Sequence, residues 1–177
     1  SLERITGQFL LFAGGGDEEH SVPVPLDQLL AEVACSHPPD QLQLDLESLE
    51  VKVKPVALSR AVANLIDNAF TYGKAPVVVR LLRKDDQCSI EVWDQGQGMP
   101  KEEWEQALQP FHRLDASRGG QGHCGLGLAI VVHVARLHGG HLNCYYAEDI
   151  DSIKTAGQFA IRLTLPMNRT EETIAKT

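Results

Sequence analysis

Seven of the fifteen glycines lie between Gly96 and Gly127. An even spread would put about three there, so the backbone of this stretch must adopt shapes or close approaches that a Cβ would forbid. The glycines fall into two clusters. Asp94-Gln95-Gly96-Gln97-Gly98-Met99 follows an alternating apolar run that ends at Trp93. Gly122-His123-Cys124-Gly125-Leu126-Gly127-Leu128 opens an apolar run that extends to Leu137. A glycine-rich turn leading into a helix presents free N–H groups and the positive end of the helix dipole, which is a ready anion site. The plainer alternative is a turn with close helix packing.

Known phosphate-binding patterns narrow the reading. Gly120-Gln121-Gly122-His123-Cys124-Gly125 has the G-x-G-x-x-G spacing, but the dinucleotide fingerprint needs a strand directly before it. The preceding residues, Asp115 to Gly119, are polar and turn-like. No G-x-x-x-x-G-K-[ST] occurs, nor the H-R-D and D-F-G pair of Ser/Thr/Tyr protein kinases.

Periodicity predicts the surrounding elements. Leu2, Ile5, Phe9 and Phe12 suggest the end of a helix, stopped by Gly14-Gly15-Gly16. Ser21 to Val24 suits a short strand, and Pro25 the first turn of a helix with Leu26, Leu29, Leu30 and Val33 inward. Gln41 to Leu46 and Leu49 to Val53 alternate and are expected to pair with each other. Pro55 opens a helix whose stripe is Leu58, Val62, Leu65, Ile66 and Ala69, with Gly73 expected at C′. Val77 to Leu82 and Ser89 to Trp93 read as a hairpin, and Lys101 to Leu108 as a short acidic helix. Gln109 to Cys124 reads as a long loop, and Leu126 to Leu137 as an apolar helix closed by Gly139-Gly140. His141 to Tyr146 and Gln158 to Leu165 read as strands, and Met167 onward as a frayed tail. This order predicts an α+β sandwich, a sheet covered by helices on one face.

Charge narrows the ligands. The 24 acidic residues outnumber the 16 basic ones, for a net charge of −8. Binding to polymeric nucleic acid is disfavoured, because phosphate neutralisation needs clustered Lys and Arg. From Gln106 to Ala147, however, three arginines (Arg113, Arg118, Arg136) face one acid, Asp115. No run is long enough to span a membrane as a helix. The cysteines, Cys35, Cys88, Cys124 and Cys144, form no C-x-x-C pair, which favours a reducing compartment, the cytosol.

Asn64 and Asn68 stand one turn apart on the predicted long helix, where asparagine costs stability. One alternative is solvent exposure with a cap. The other is a ligand pair, since an amide oxygen suits Mg²⁺ bridging substrate phosphates.

Four separated motifs together form a resemblance. The run Asn64 to Gly73 resembles the N box of the GHKL superfamily, and Asp94 to Pro100 its G1 box. Pro110-Phe111-His112-Arg113 resembles the F box, and Gly125-Leu126-Gly127-Leu128 the G2 box. Their order and spacing are similar to those of sensor histidine kinases, over about residues 22–166. The stretch Arg60 to Asn64 further resembles the EnvZ-type osmosensor branch.

The resemblance implies a Bergerat-type α/β sandwich: a mixed sheet, about three helices on one face, and a mobile ATP lid. It implies ATP and Mg²⁺ as cofactors. Asn68 would coordinate the metal, and Asn64 would contact phosphates or metal-bound water. Tyr72 would stack near the adenine and ribose. Asp94 would accept from the adenine amino group, with Gly96 and Gly98 admitting the base. Phe111 would anchor the lid, and Arg113 would reach the γ-phosphate, supported by Arg118. Cys124, Gly125, Leu126, Gly127 and Leu128 would offer backbone N–H groups to the triphosphate. The implied catalytic pair is Asn64 and Arg113.

The chain departs from the family pattern at His123 and Cys124, where a small pair is usual, and at Thr71, where a basic residue is common. None of the seven histidines begins a His-Glu/Asp-x-x-x-Pro phosphoacceptor motif. The resemblance therefore implies transfer of the γ-phosphoryl group to a histidine on a separate helical-hairpin dimerisation domain, with a response regulator downstream. It places the chain on the cytosolic side of an inner-membrane sensor. Residues 1–16 would end the phosphoacceptor helix and form a linker, 17–166 would be the catalytic domain, and 167–177 a flexible tail. A GHKL ATPase and a catalytically degenerate nucleotide-binding module are the alternatives. The hydrolytic relatives carry a Glu four residues before the metal Asn, where this chain has Asn64.

Overall fold

The computed structural model describes residues 18–109, 127–150 and 155–167. Along these run β1 (Val22–Pro25), α1 (Leu26–Ala34), β2 (Leu42–Leu46), β3 (Glu50–Val53), α2 (Pro55–Tyr72), β4 (Val77–Lys84) and β5 (Gln87–Asp94). Then come a 3₁₀ turn (Lys101–Glu103), α3 (Trp104–Ala107), α4 (Gly127–Leu137), β6 (His141–Tyr146), a second 3₁₀ turn (Ala147–Asp149) and β7 (Phe159–Pro166). The result is the expected α+β architecture. A five-stranded mixed sheet has the order β2-β4-β5-β7-β6, and a separate antiparallel ribbon joins β1 to β3.

Strand alternation sorts the sheet into two chemically different faces. Val77, Val79 and Leu81 of β4 lie on one face with Cys88, Ile90 and Val92 of β5, and Ile161, Leu163 and Leu165 of β7. These join one apolar core with the stripes of α1, α2 and α4. α2 buries the predicted Leu58, Val62, Leu65, Ile66 and Ala69, and adds Ala57 and Ala61. The buried Cys88 thiol is pushed up to about 11, first by burial.

The opposite face carries a ladder of alternating charge. Asp45, Arg80, Glu91 and Arg162 are cross-strand neighbours on four successive strands. Glu91 is only 1% exposed. It accepts from Arg162 at 2.7 and 2.5 Å and from Trp93 Nε1–H at 2.9 Å, with Arg80 at 3.7 Å. Arg80 turns its Nε–H to Asp45 at 3.2 Å, and the Arg162 guanidinium lies 4.1 Å from the Tyr145 ring centre.

Two helix ends are tied by residues distant in sequence. α2 has no capping side chain of its own. Instead the Glu19 carboxylate accepts the N–H groups of Val56 and Ala57 at 2.7 and 2.9 Å, and so places an anion at the positive end of the dipole. The C-terminus of α4 folds into a Schellman motif. Gly139, at φ 71°, bonds back to Arg136, and Gly140 to Ala135. His138 in that turn accepts the Lys54 N–H at Nε2 (2.9 Å) while Nδ1–H donates to Val134 O (2.7 Å).

Four expectations change. Gln41–Leu46 and Leu49–Val53 do not pair with each other. β2 runs parallel to β4, and β3 pairs with β1. A parallel pair needs a crossover, and the β3–α2 segment supplies it. Gly73 is the C-cap itself, in an extended conformation, for a reason that lies in β5. The acidic helix splits into a 3₁₀ turn and a single α-turn. Met167 is held, its N–H bonded to Asp86 O at 2.7 Å, while the rest of the expected tail lies outside the described residues.

Replacing Glu91 by Gln leaves two guanidinium groups beside a neutral amide, and should cost about 3 kcal/mol, read as a lower urea midpoint. His138 supplies a pH test. Burial holds its pKa below the ordinary 6.5, so the unfolded chain binds the extra proton first. This contribution is complete above about pH 6.5 and is lost as pH falls toward the depressed folded value. The stability of His138→Gln should therefore fall less than that of the wild type between about pH 7.5 and about pH 5.5.

Candidate functional site

The site builds outward from α2. Asn64, Asn68 and Tyr72 recur every fourth residue and so share one face. Asn64 is buried, and Asn68 and Tyr72 are half-buried. The Asn68 Nδ2 atom is buried without a hydrogen-bond partner among the described residues. A polar atom in that state normally marks a place where solvent or a ligand completes the set. The first turn of α4 lies against it: a Cβ on Gly127 would sit 3.7 Å from both Asn68 amide atoms. Leu128 follows, buried in the core. Two sequence clusters are thus brought together, the asparagine helix and the end of the second glycine run.

The second centre lies where the same helix ends, at its C-cap Gly73. β5 delivers Asp94, 4% exposed, onto the helix side of the sheet. Its carboxylate occupies the space a side chain on residue 73 would need, since a Cβ there would lie 2.2 to 2.5 Å from the carboxylate atoms. Gly96 packs on Gly73 from the other side, and its N–H donates to Asp94 Oδ1 at 2.7 Å. Gly98, at φ 80°, turns the loop over Phe159. Burial raises the Asp94 pKa, and the backbone N–H groups of Gly96 and Lys74 oppose that rise. A carboxylate held this way keeps acceptor capacity for a donor that enters beside Gly73 and Gly96.

The structure therefore groups Asp94, Gly73 and Gly96, and groups Asn68 with Gly127. At about 1.5 Å per residue, α2 separates Asn68 from Gly73 by about 7.5 Å along its axis. Phe111, Arg113, Arg118, Cys124, Gly125 and Leu126 lie outside the described residues, as does the expected lid. Sequence reasoning missed three supports of the first glycine loop. Gly157 lies so close to Asp94 that a Cβ would be 2.6 Å from its carbonyl oxygen. Phe159 and Tyr146 brace the far side of the loop. Only Gly157 left a sequence signal, a single glycine directly before a strand.

Comparison with known proteins identifies the family to which the chain is similar. Residues 53–169 match the model of the family described as histidine kinase-, DNA gyrase B- and HSP90-like ATPase. A sensor histidine kinase component, HK1, of Mycobacterium tuberculosis is 36% identical over 121 residues, 68% of this chain and 67% of that relative. In two further relatives the matched region spans only 30% and 24% of their length. Among solved structures, the histidine kinase domain of the Escherichia coli osmosensor EnvZ is 31% identical. Its TM-score is 0.62, with 85% of this chain and 91% of that one covered. The ATP-binding domain of PrrB from M. tuberculosis is 26% identical with a TM-score of 0.65, covering 84% and 98%.

Gly73→Ala tests the first centre without any ligand. The added methyl must displace the Asp94 carboxyl group, at a cost of about 1–3 kcal/mol. The Gly96 amide resonance should shift as its acceptor moves, which a heteronuclear NMR spectrum reads directly.

Proposed function

The chain belongs to the histidine kinase-, DNA gyrase B- and HSP90-like ATPase family, and from that membership we propose that it binds Mg·ATP and donates the γ-phosphoryl group to a histidine. Its histidine kinase relatives support this over the other branches. The observation that carries the reading is Asp94: a buried acceptor in a slot cleared by Gly73 and Gly96, at the end of the helix that bears Asn64 and Asn68.

Each residue does a definable task. Asp94 accepts from the adenine amino group, and a base without that donor leaves the carboxylate unpaired, which gives selectivity. Gly96 and Gly98 leave room for the base edge, and Tyr72 lines the ribose side. Asn68 fits Mg²⁺ through its amide oxygen, a hard neutral ligand beside the space left by Gly127, and its Nδ2–H group, unbonded among the described residues, is left to donate to a phosphate oxygen or metal-bound water. When bound, Mg²⁺ supplies charge neutralisation across the phosphates. Asn64 orients the phosphates, and the backbone from Cys124 to Leu128 offers its N–H groups to them. Phe111 seats the lid. Arg113, with Arg118, stabilises the charge that develops on the transferring group.

The acceptor histidine is assigned to a helical-hairpin domain of the same kinase, and the phosphoryl group then passes to a response regulator. No helix among the described residues is long and apolar enough to cross a membrane. We assign the chain to the cytosolic side of a membrane sensor, as residues 17–166 of a catalytic domain with flanking linker and tail.

Asn64 favours phosphotransfer over hydrolysis, because a carboxylate there would serve as base for an attacking water, and an amide does not. The test mixes this chain with a cognate helical-hairpin domain, Mg²⁺ and γ-labelled ATP. Label should appear on the hairpin and fall by at least about 100-fold in Asn68→Ala. Rapid phosphate release by the chain alone would point to an ATPase, and tight binding without transfer to a bare nucleotide-binding module.

A further inference from the structure

The loop from Gln95 to Pro100 is fastened at both ends. At its start, Gln95 N–H donates to Lys74 O at 2.9 Å, and its side-chain amide reaches Pro76 O and Ala156 O at 3.3 and 3.4 Å. Gln158 N–H closes on Asp94 O at 2.8 Å. The family motif ends at the other side of the loop, yet the fastening there is equally specific. The Tyr146 hydroxyl donates to the carbonyl of the buried Met99. Its ring meets Phe159 edge-on at 5.2 Å. Phe159 in turn fills the space under Gly98, where a Cβ would lie 2.2 Å from its Cδ1. Above the Tyr146 ring, Lys101 Nζ sits 5.0 Å from the centroid, held by Asp149 at 3.0 Å and Glu148 at 3.9 Å.

Taken together, these contacts form a clamp built from β6, β7 and the 3₁₀ turn between them. The hydroxyl pins the one backbone carbonyl that follows the two glycines. The ring and Phe159 set the height of Gly98 above the sheet. Cys144, two residues before Tyr146 on the same strand face, is hydrogen-bonded to the tyrosine side chain.

We propose that Tyr146 is a positioning residue for nucleotide-base selection: through Met99 it fixes the Gly96–Gly98 backbone at the height where the base edge can reach Asp94. The inference rests on Asp94 reading a purine amino group. A merely structural tyrosine would alter stability, and affinity for every nucleotide, by a common factor. A positioning tyrosine alters the preference among bases.

The test is Tyr146→Phe, which removes only the hydroxyl and keeps the ring against Phe159 and Lys101. Dissociation constants are measured for ATP and for inosine triphosphate, which lacks the 6-amino donor, with Asp94→Asn alongside. The ATP preference of Tyr146→Phe should shrink by about 5-fold, the equivalent of one hydrogen bond. An unchanged ATP-to-inosine ratio in Tyr146→Phe, with the ratio collapsed in Asp94→Asn, overturns the positioning role and leaves the base-reading role standing. A ratio insensitive to Asp94→Asn, or a wild-type chain that binds neither nucleotide, overturns the base-reading role and the proposal with it.

Discussion

The contact between the Asp94 carboxylate and the bare backbone of Gly73 is the constraint on which the site depends. It brings the end of a strand and the end of a helix within van der Waals reach, and no residue larger than glycine permits it. Burial raises the cost of the carboxylate's charge, and backbone N–H groups from both flanking turns repay part of it. The carboxylate is therefore held by main chain, whose position is set by the sheet and by α2. The surrounding glycines follow the same logic: Gly96, Gly98 and Gly157 each admit something that a methyl group would exclude.

Much of the fold was legible because its signals are local. The apolar stripe of α2 is repeated within one helix, and the β4–β5 hairpin has a short polar turn at Asp85-Asp86. β2 shows where legibility stops. Alternation at Leu42, Leu44 and Leu46 states that the segment is a strand with two faces, and it carries no word about which strand lies next to it. The adjacent Leu49 to Val53 run looked like the natural partner, whereas the crossover through α2 placed β4 there. Gly73 fails in the same way. In sequence it is a helix stop, and its actual partner is 21 positions later.

The site was legible where it consists of motif residues, and illegible where it consists of their supports. Asn64, Asn68, Asp94, Gly96 and Gly98 stand out because their types are unusual for the elements that hold them. Tyr146 and Phe159 do not, because aromatic residues in strands are ordinary. Glu91 was also unreadable: a charged residue in an alternating strand is expected to face water, and here arginines on both neighbouring strands make burial tolerable.

Glu19 gives α2 a further property. The helix is 18 residues long, about 27 Å at its standard rise. At one end the Glu19 carboxylate, distant in sequence, grips its first free N–H groups, and at the other the Asp94 carboxylate abuts its C-cap, Gly73. A rod stopped at both ends cannot slide along its axis without losing one stop. α2 therefore behaves as a gauge block: the spacing between Gly73 and Asn68 is a fixed length in the molecule. Any ligand that spans the two centres is measured against a standard that neither centre sets alone.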